Sequence, residues 1–126
     1  MTRRFTESVV EEAALEWFGA LGYAVVGGPE IAPGEPAAER SSYQQVVLEA
    51  RLRAALRRLN PALPDSALDE AFRKLTRISS PSLIAANHEL HHHLVSGVAI
   101  EYVKLDGTIG YDTVHVLDFD DPSAND

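Results

Sequence analysis

A chain of 126 residues with 45% apolar and 24% charged content suits one globular domain with a modest core and is too apolar for a disordered tail. It has no cysteine, which excludes disulfides and thiolate metal sites, so any metal must be held by His, Asp or Glu. A net charge of -8 argues against a general nucleic-acid coat protein. No apolar run reaches membrane-spanning length, and the start, Met1-Thr2-Arg3-Arg4-Phe5, passes into Glu-rich sequence without a signal peptide's apolar stretch. A cytoplasmic protein with no membrane partner is expected.

Thr6-Glu7-Ser8-Val9 predicts the start of a first helix, with a capping residue and acids near the positive end of the dipole. The row Val10, Ala14, Trp17 and Leu21 recurs at helical spacing, and Gly22 ends it. Tyr23-Ala24-Val25-Val26 then reads as a short strand closed by Gly27-Gly28-Pro29, and residues 27–42, with three prolines and no period, read as a long loop.

A helix over residues 43–59 follows, with Leu48, Leu52, Ala55, Leu56 and Leu59 on one side and a stop at Asn60-Pro61. Another begins at Pro64-Asp65 and presents Leu68, Ala71, Phe72 and Leu75, making a helical hairpin. Ser80-Pro81 signals the next helix, Ser as cap and Pro in the first turn, running through Leu83, Ile84, Leu90 and Leu94 to Gly97. Residues 98–103 and 113–119 read as strands around a turn at Asp106-Gly107. The second strand has nothing after it to pair with, which predicts an exposed edge and self-association. The outline is α+β, with a short mixed or antiparallel sheet.

Charge is uneven along this outline. Residues 40–77 hold eight basic residues (Arg40, Arg51, Arg53, Arg57, Arg58, Arg73, Lys74, Arg77) against four acids (Glu49, Asp65, Asp69, Glu70), a net +4; the remainder, three basic and fifteen acidic residues, carries -12. Arg40, Arg51, Arg53, Arg57 and Arg58 are therefore candidates for contact with DNA phosphates. The plainer reading is a solvated helix face around an amphipathic stripe.

Three groups of side chains carry possible chemistry. His88-Glu89-Leu90-His91-His92 matches H-E-x-x-H on a predicted helix, where histidines one turn apart can hold zinc and the glutamate can activate water. Four of the chain's five histidines crowd between His88 and His93, however, the extended form of the motif is absent, and a third ligand would have to be Glu101 or His115. Glu11 shares a helix row with Leu15, Phe18 and Gly22, which would draw a carboxylate to the edge of the core; alone, it is also an ordinary first-turn glutamate beside Glu7 and Glu12. Asp118, Asp120 and Asp121 suit a divalent cation by type, but acids before Asp121-Pro122 are also turn formers. No phosphate-cradling glycine loop and no G-x-S-x-G elbow is present.

In order and spacing the chain resembles the N-terminus of the restriction (R) subunit of type I restriction-modification enzymes. The matching stretches are Thr6-Glu7-Ser8-Val9-Val10-Glu11 with Leu21-Gly22-Tyr23; Gly28-Pro29-Glu30-Ile31-Ala32-Pro33; Glu39-Arg40-Ser41-Ser42-Tyr43; Val47-Leu48 with Arg51-Leu52; Asn60-Pro61-Ala62-Leu63-Pro64; Asn87 with His91, Leu94 and Gly97-Val98; and Val116-Leu117-Asp118-Phe119-Asp120. The resemblance implies the N-terminal portion of a PD-(D/E)XK nuclease domain over residues 1–126, with a leading helix and a helical insertion at about residues 43–95. It further implies magnesium for the complete nuclease domain and ATP for the translocating full-length subunit. DNA and the modification and specificity subunits are the implied partners.

Within that family Glu11 matches the position of a metal-site glutamate on the leading helix, and of the histidines only the position of His91 is typical. Asp118 is not the family's catalytic aspartate, which follows a later strand. No P-D followed by E-x-K occurs in these residues. The expectation is therefore a truncated front part of a nuclease domain, inert alone and with no cofactor of its own. The alternatives are a noncatalytic DNA-binding or subunit-docking module and, further off, a zinc peptidase-like protein using His88 and His92.

Overall fold

The computed structural model describes residues 6–125, so the Met1–Phe5 stretch and Asp126 lie outside it. The chain divides into two compact units, residues 1–46 and 47–126.

In the first unit, α1 spans Glu7–Ala20 and ends in a Schellman motif. Gly22 takes φ +96°, its N–H donates to Gly19 O (3.0 Å), and the Tyr23 N–H reaches back to Phe18 O (3.0 Å). The Phe18 and Tyr23 rings meet edge to face at 5.5 Å, the apolar contact that accompanies such a stop. None of the residues of α1 is buried, and Trp17 is 71% exposed, so Glu11 is not drawn to a core edge as its row suggested.

Residues 23–26 form no strand, contrary to their β-rich composition. A strand needs a ladder partner, and the first unit has no other strand among its described residues. The chain instead enters a 3-10 turn at Gly28–Ile31.

The helix expected from residue 43 starts later, at Glu49. The Arg40 guanidinium donates to Gln45 O (2.9 Å) and to Tyr43 O, while Gln45 Oε1 accepts from the Ser41 N–H (2.7 Å) and hydroxyl (2.8 Å). These bonds close residues 40–45 into a turn and occupy carbonyls that a helix there would use.

The second unit holds α2 (Glu49–Leu59), α3 (Asp65–Thr76), α4 (Leu83–Ser96) and the antiparallel strands β1 (Val98–Val103) and β2 (Ile109–Val114). The fold is α+β, and its core lies between α3, the inner face of the sheet and α2. Ala67, Leu68 and Ala71 of α3 meet Val98, Ile100 and Val114 of the sheet and Leu56 of α2, flanked by Leu52, Leu63, Phe72 and Leu75. Alternation along β1 buries Val98 and Ile100 and exposes Ala99 and Glu101, as expected for a sheet covered on one face. Two alanines in the core face of α3 leave no bulk between helix and strands.

α4 begins two residues later than its sequence signal. Ser82 rather than Ser80 is the cap, accepting from the Ala85 N–H at 3.1 Å, and Ser80 turns its hydroxyl to Glu89 instead (2.7 Å). Gly97 ends α4 at φ +81°, where a Cβ would lie 2.6 Å from Thr113 Cγ2 and 2.9 Å from Val114 O. Only glycine lets helix end and strand approach this closely.

The hairpin turn places Gly107 at φ +83°, with its N–H on Lys104 O (2.9 Å) and the Lys104 N–H on Thr108 O (2.8 Å). This is a three-residue loop with a glycine bulge. The register Val98↔Val114 through Val103↔Ile109 continues into the Lys104–Thr108 pair, which fixes which residues exchange ladder bonds. Bonding alternates along an antiparallel pair, so Ile109, Tyr111, Thr113 and His115 turn their backbone groups to the outer edge of β2.

The strand expected over residues 113–119 thus lies earlier, and it is paired, because the tight turn sets the register immediately after Thr108. Beyond Val114 the ladder stops. Asn60 takes both backbone groups of His115, and Asp118 Oδ1 accepts from the N–H groups of Asp120 and Asp121 (both 2.9 Å), turning the chain into a 3-10 turn at Pro122–Ala124.

Candidate functional site

The residues singled out in the sequence fall on separate surfaces. Glu11 projects from α1 and is exposed. Among the described residues no group of three or more His, Asp or Glu side chains assembles a metal site. A lone exposed carboxylate does not make a magnesium site, so the residues present do not fit that ion by themselves.

Three arginines of α2 are committed to partners within the second unit. The Arg53 Nε donates to Glu49 (2.9 Å), its Nη1 donates to Asp69 (2.7 Å), and its guanidinium stacks 3.9 Å from the Phe72 ring centroid. The hydrogen bonds to Glu49 and then Asp69 push this already cationic group further up. Arg57 donates to Leu63 O (2.7 Å) and pairs with Asp65, and the Arg58 Nε donates to Ala124 O (3.1 Å). Arg51 is engaged as well. Arg40 belongs to the first unit, where it closes the 40–45 turn over the Tyr43 ring. The Pro64-Asp65 dipeptide opens α3 rather than a strand, with Asp65 held by Arg57.

The histidine-rich helix α4 does not present its motif as a metal pair with a free base. Glu89 Oε2 accepts from the Ser80 hydroxyl, and its Oε1 lies 3.7 Å from His93 Nε2. His93 itself is nearly enclosed, with neither ring nitrogen hydrogen-bonded. Asp118 is a turn former here. Besides the two N–H bonds to its carboxylate, its backbone is clasped by Asn125, which accepts from the Asp118 N–H (2.8 Å) and donates to its carbonyl (2.7 Å).

Sequence reasoning missed Asn60, Lys74 and His93. Asn60 is a buried polar residue, 6% exposed, read only as a helix stop. Lys74 reaches β1, donating to Ala99 O at 2.7 Å, which covers one outward carbonyl of that strand's edge. The one signal for Lys74 was its place in the basic segment.

No helix among the described residues is long and apolar enough to cross a membrane. A family model described as "Type I restriction enzyme R protein N terminus" matches residues 4–126. The chain is 30% identical over 114 residues to the type I restriction enzyme HindI endonuclease subunit of Haemophilus influenzae, covering 90% of this chain and 11% of that protein. It is 29% identical over 118 residues to the putative type I restriction enzyme MjaIXP endonuclease subunit of Methanocaldococcus jannaschii, covering 94% of this chain and 11% of that one. The chain thus spans about a ninth of the length of the relatives it matches. No solved structure is significantly similar to it.

Proposed function

Because the chain belongs to the family of type I restriction enzyme R protein N termini, we propose that it serves as the front part of a DNA-cleaving subunit and has no nuclease activity by itself. The match across residues 4–126 is the observation that carries this reading. Two further features support the second half: no P-D followed by E-x-K occurs in the sequence, and Glu11 stands on an exposed helix face. Magnesium for a complete nuclease domain and ATP for a translocating subunit belong to the same reading, as do DNA, the modification and specificity subunits, and a cytoplasmic location. The test is incubation of the purified chain with supercoiled plasmid and magnesium. No nicking is expected; magnesium-dependent cleavage that disappears in Glu11→Ala overturns the inert assignment.

One observation favours a second reading, a noncatalytic docking module. Arg40, Arg53, Arg57 and Arg58 all donate to groups within the chain, so the basic segment is largely spent on internal structure. A gel shift over a salt series separates the two readings. DNA retention that weakens with salt and drops on neutralising Arg51, Arg53, Arg57 and Arg58 supports DNA contact; no retention at any salt supports docking.

A further inference from the structure

A depression of about 320 Å³ lies where α3, the end of α4 and the hairpin meet, lined by Lys74, His92, His93, Ser96 and Thr113 around Gly97 and Ala99. We propose that it is an anion site that takes a phosphate group. Every polar side chain in its wall can donate a hydrogen bond, and no carboxylate lines it. The mixture of one ammonium, two imidazoles and two hydroxyls suits tetrahedral oxygens approached from several sides. A planar carboxylate is better served by an arginine fork, and a divalent cation is repelled by Lys74.

The fold holds these donors in place. The bond from Lys74 to Ala99 O fixes the ammonium at the sheet edge and leaves two of its N–H groups for a ligand. Thr113 is the register partner of Ala99, so its side chain shares a sheet face with that position. Gly97, where a Cβ would strike Thr113, brings the end of α4 and β2 together and sets Ser96 beside the strand. His93 supplies a second, independent sign. Neither ring nitrogen makes a hydrogen bond; Nε2 lies 3.7 Å from Glu89 Oε1, while Nδ1 is shielded with no partner among the described residues, and such a polar atom in a native fold marks a missing partner. An ammonium near a helix C-terminus also complements the dipole, but that accounts for neither the two hydroxyls nor the orphan ring.

The nearby acids are occupied or set aside. Glu89 is bonded to Ser80 through one oxygen and lies 3.7 Å from His93 Nε2 through the other, Glu70 is bonded to Arg73, Asp112 accepts from the Tyr102 hydroxyl, and Glu101 and Asp112 line the neighbouring depression that shares Lys74, Ala99 and Thr113. The site rests on its own donors and not on the nuclease reading.

The test is titration of the ¹⁵N-labelled full chain with inorganic phosphate at constant ionic strength, followed by NMR. Saturable shifts at the Ser96, Gly97 and Thr113 amides are expected. Affinity should fall about three- to tenfold in Lys74→Gln and in His92→Gln, the size of one lost charge-assisted or exposed contact. His92 is exposed, so its replacement leaves the fold intact even where Lys74→Gln does not. Removing the neighbouring acid, Glu101→Gln, should tighten binding. A short DNA duplex that displaces phosphate from these amides assigns the site to backbone phosphate. Phosphate binding without competition assigns it to free phosphate, and the site stands in both cases. Absence of saturable shifts at these amides, or affinity unchanged in both Lys74→Gln and His92→Gln, overturns it.

Discussion

Asn60 and His115 are joined by a two-way hydrogen bond across 55 residues of sequence: the His115 N–H donates to Asn60 Oδ1 at 2.8 Å, and the Asn60 Nδ2 donates back to the His115 carbonyl at 2.8 Å. The side-chain amide thereby acts as one rung of an additional strand on the outer edge of β2. A further bond from Nδ2 to Leu56 O at 2.9 Å anchors the same amide to the last turn of α2. One residue closes a helix, ends a sheet and sets the path of residues 115–125.

Asn60→Ala should therefore be among the most damaging polar substitutions in the second unit. It leaves the part-buried backbone N–H and carbonyl of His115 without these partners, and the expected loss is about 1–3 kcal/mol of unfolding free energy. Urea denaturation of the variant against the parent measures it. Asn60→Asp keeps the acceptor for the His115 N–H but sets a carboxylate against two carbonyls, and it should do no better than alanine. A loss below about 0.5 kcal/mol, the size of an ordinary surface change, would show that the clasp is not structural.

Gly97 and Gly107 share a positive φ, of 81° and 83°, but not their surroundings. A Cβ at Gly97 meets a side-chain carbon at 2.6 Å and a backbone oxygen at 2.9 Å, whereas at Gly107 nothing lies within 4 Å. Gly107→Ala should cost only the left-handed backbone penalty of about 1–2 kcal/mol. Gly97→Ala adds steric overlap and should cost about 2–4 kcal/mol. Thermal or urea unfolding of the two variants side by side gives the ranking, and equal losses would remove the close approach of α4 and β2 as its cause.

What the sequence disclosed follows the range of the interactions involved. The face of α3, with Leu68, Ala71, Phe72 and Leu75, and the burial of β1 were legible because helical and strand periods act over a few residues. The start at Glu49 rather than residue 43, and the missing strand over residues 23–26, were not. The first depends on Arg40 and Gln45 bonding backbone across a turn, the second on a ladder partner that composition cannot supply. The candidate sites divide in the same way. The H-E-x-x-H spacing is a local regularity, but the partner that occupies Glu89 is Ser80, nine residues earlier. The pocket of Lys74, His92 and Thr113 joins three elements that no single stretch of sequence contains.

Acid should weaken the second unit through groups whose ionised forms the fold favours. The Glu70 carboxyl is held below its ordinary value first by the hydrogen bonds from Arg73, and the Asp106 carboxyl by the Thr108 hydroxyl and N–H that it accepts. A lowered carboxylate in the folded state stabilises above the unfolded value, and that contribution is lost as pH falls through the folded one. Stability measured by urea from neutral pH downward should therefore decline through and below the ordinary carboxylate range. Glu70→Gln and Asp106→Asn should each flatten the decline, and a slope unchanged in the double variant would assign the loss to other carboxylates.

Arg53 offers the sharpest separation of charge from shape. It makes two carboxylate bonds, to Glu49 and Asp69, and lays its planar guanidinium on Phe72. Lysine at this position keeps the charge but loses both the fork and the stack. Because the three side chains are partly exposed, each ion pair contributes no more than a few tenths to about 1 kcal/mol, and the stack adds about 0.5–1 kcal/mol. Arg53→Ala should lower stability by about 1–2 kcal/mol and Arg53→Lys by at least half as much. The remaining ion-pair share should shrink in high salt while the loss tied to Phe72 persists. Unfolding curves for both variants and for Phe72→Leu, at low and high salt, decide the matter: if lysine matches the parent, charge alone holds α2 to α3 at this contact.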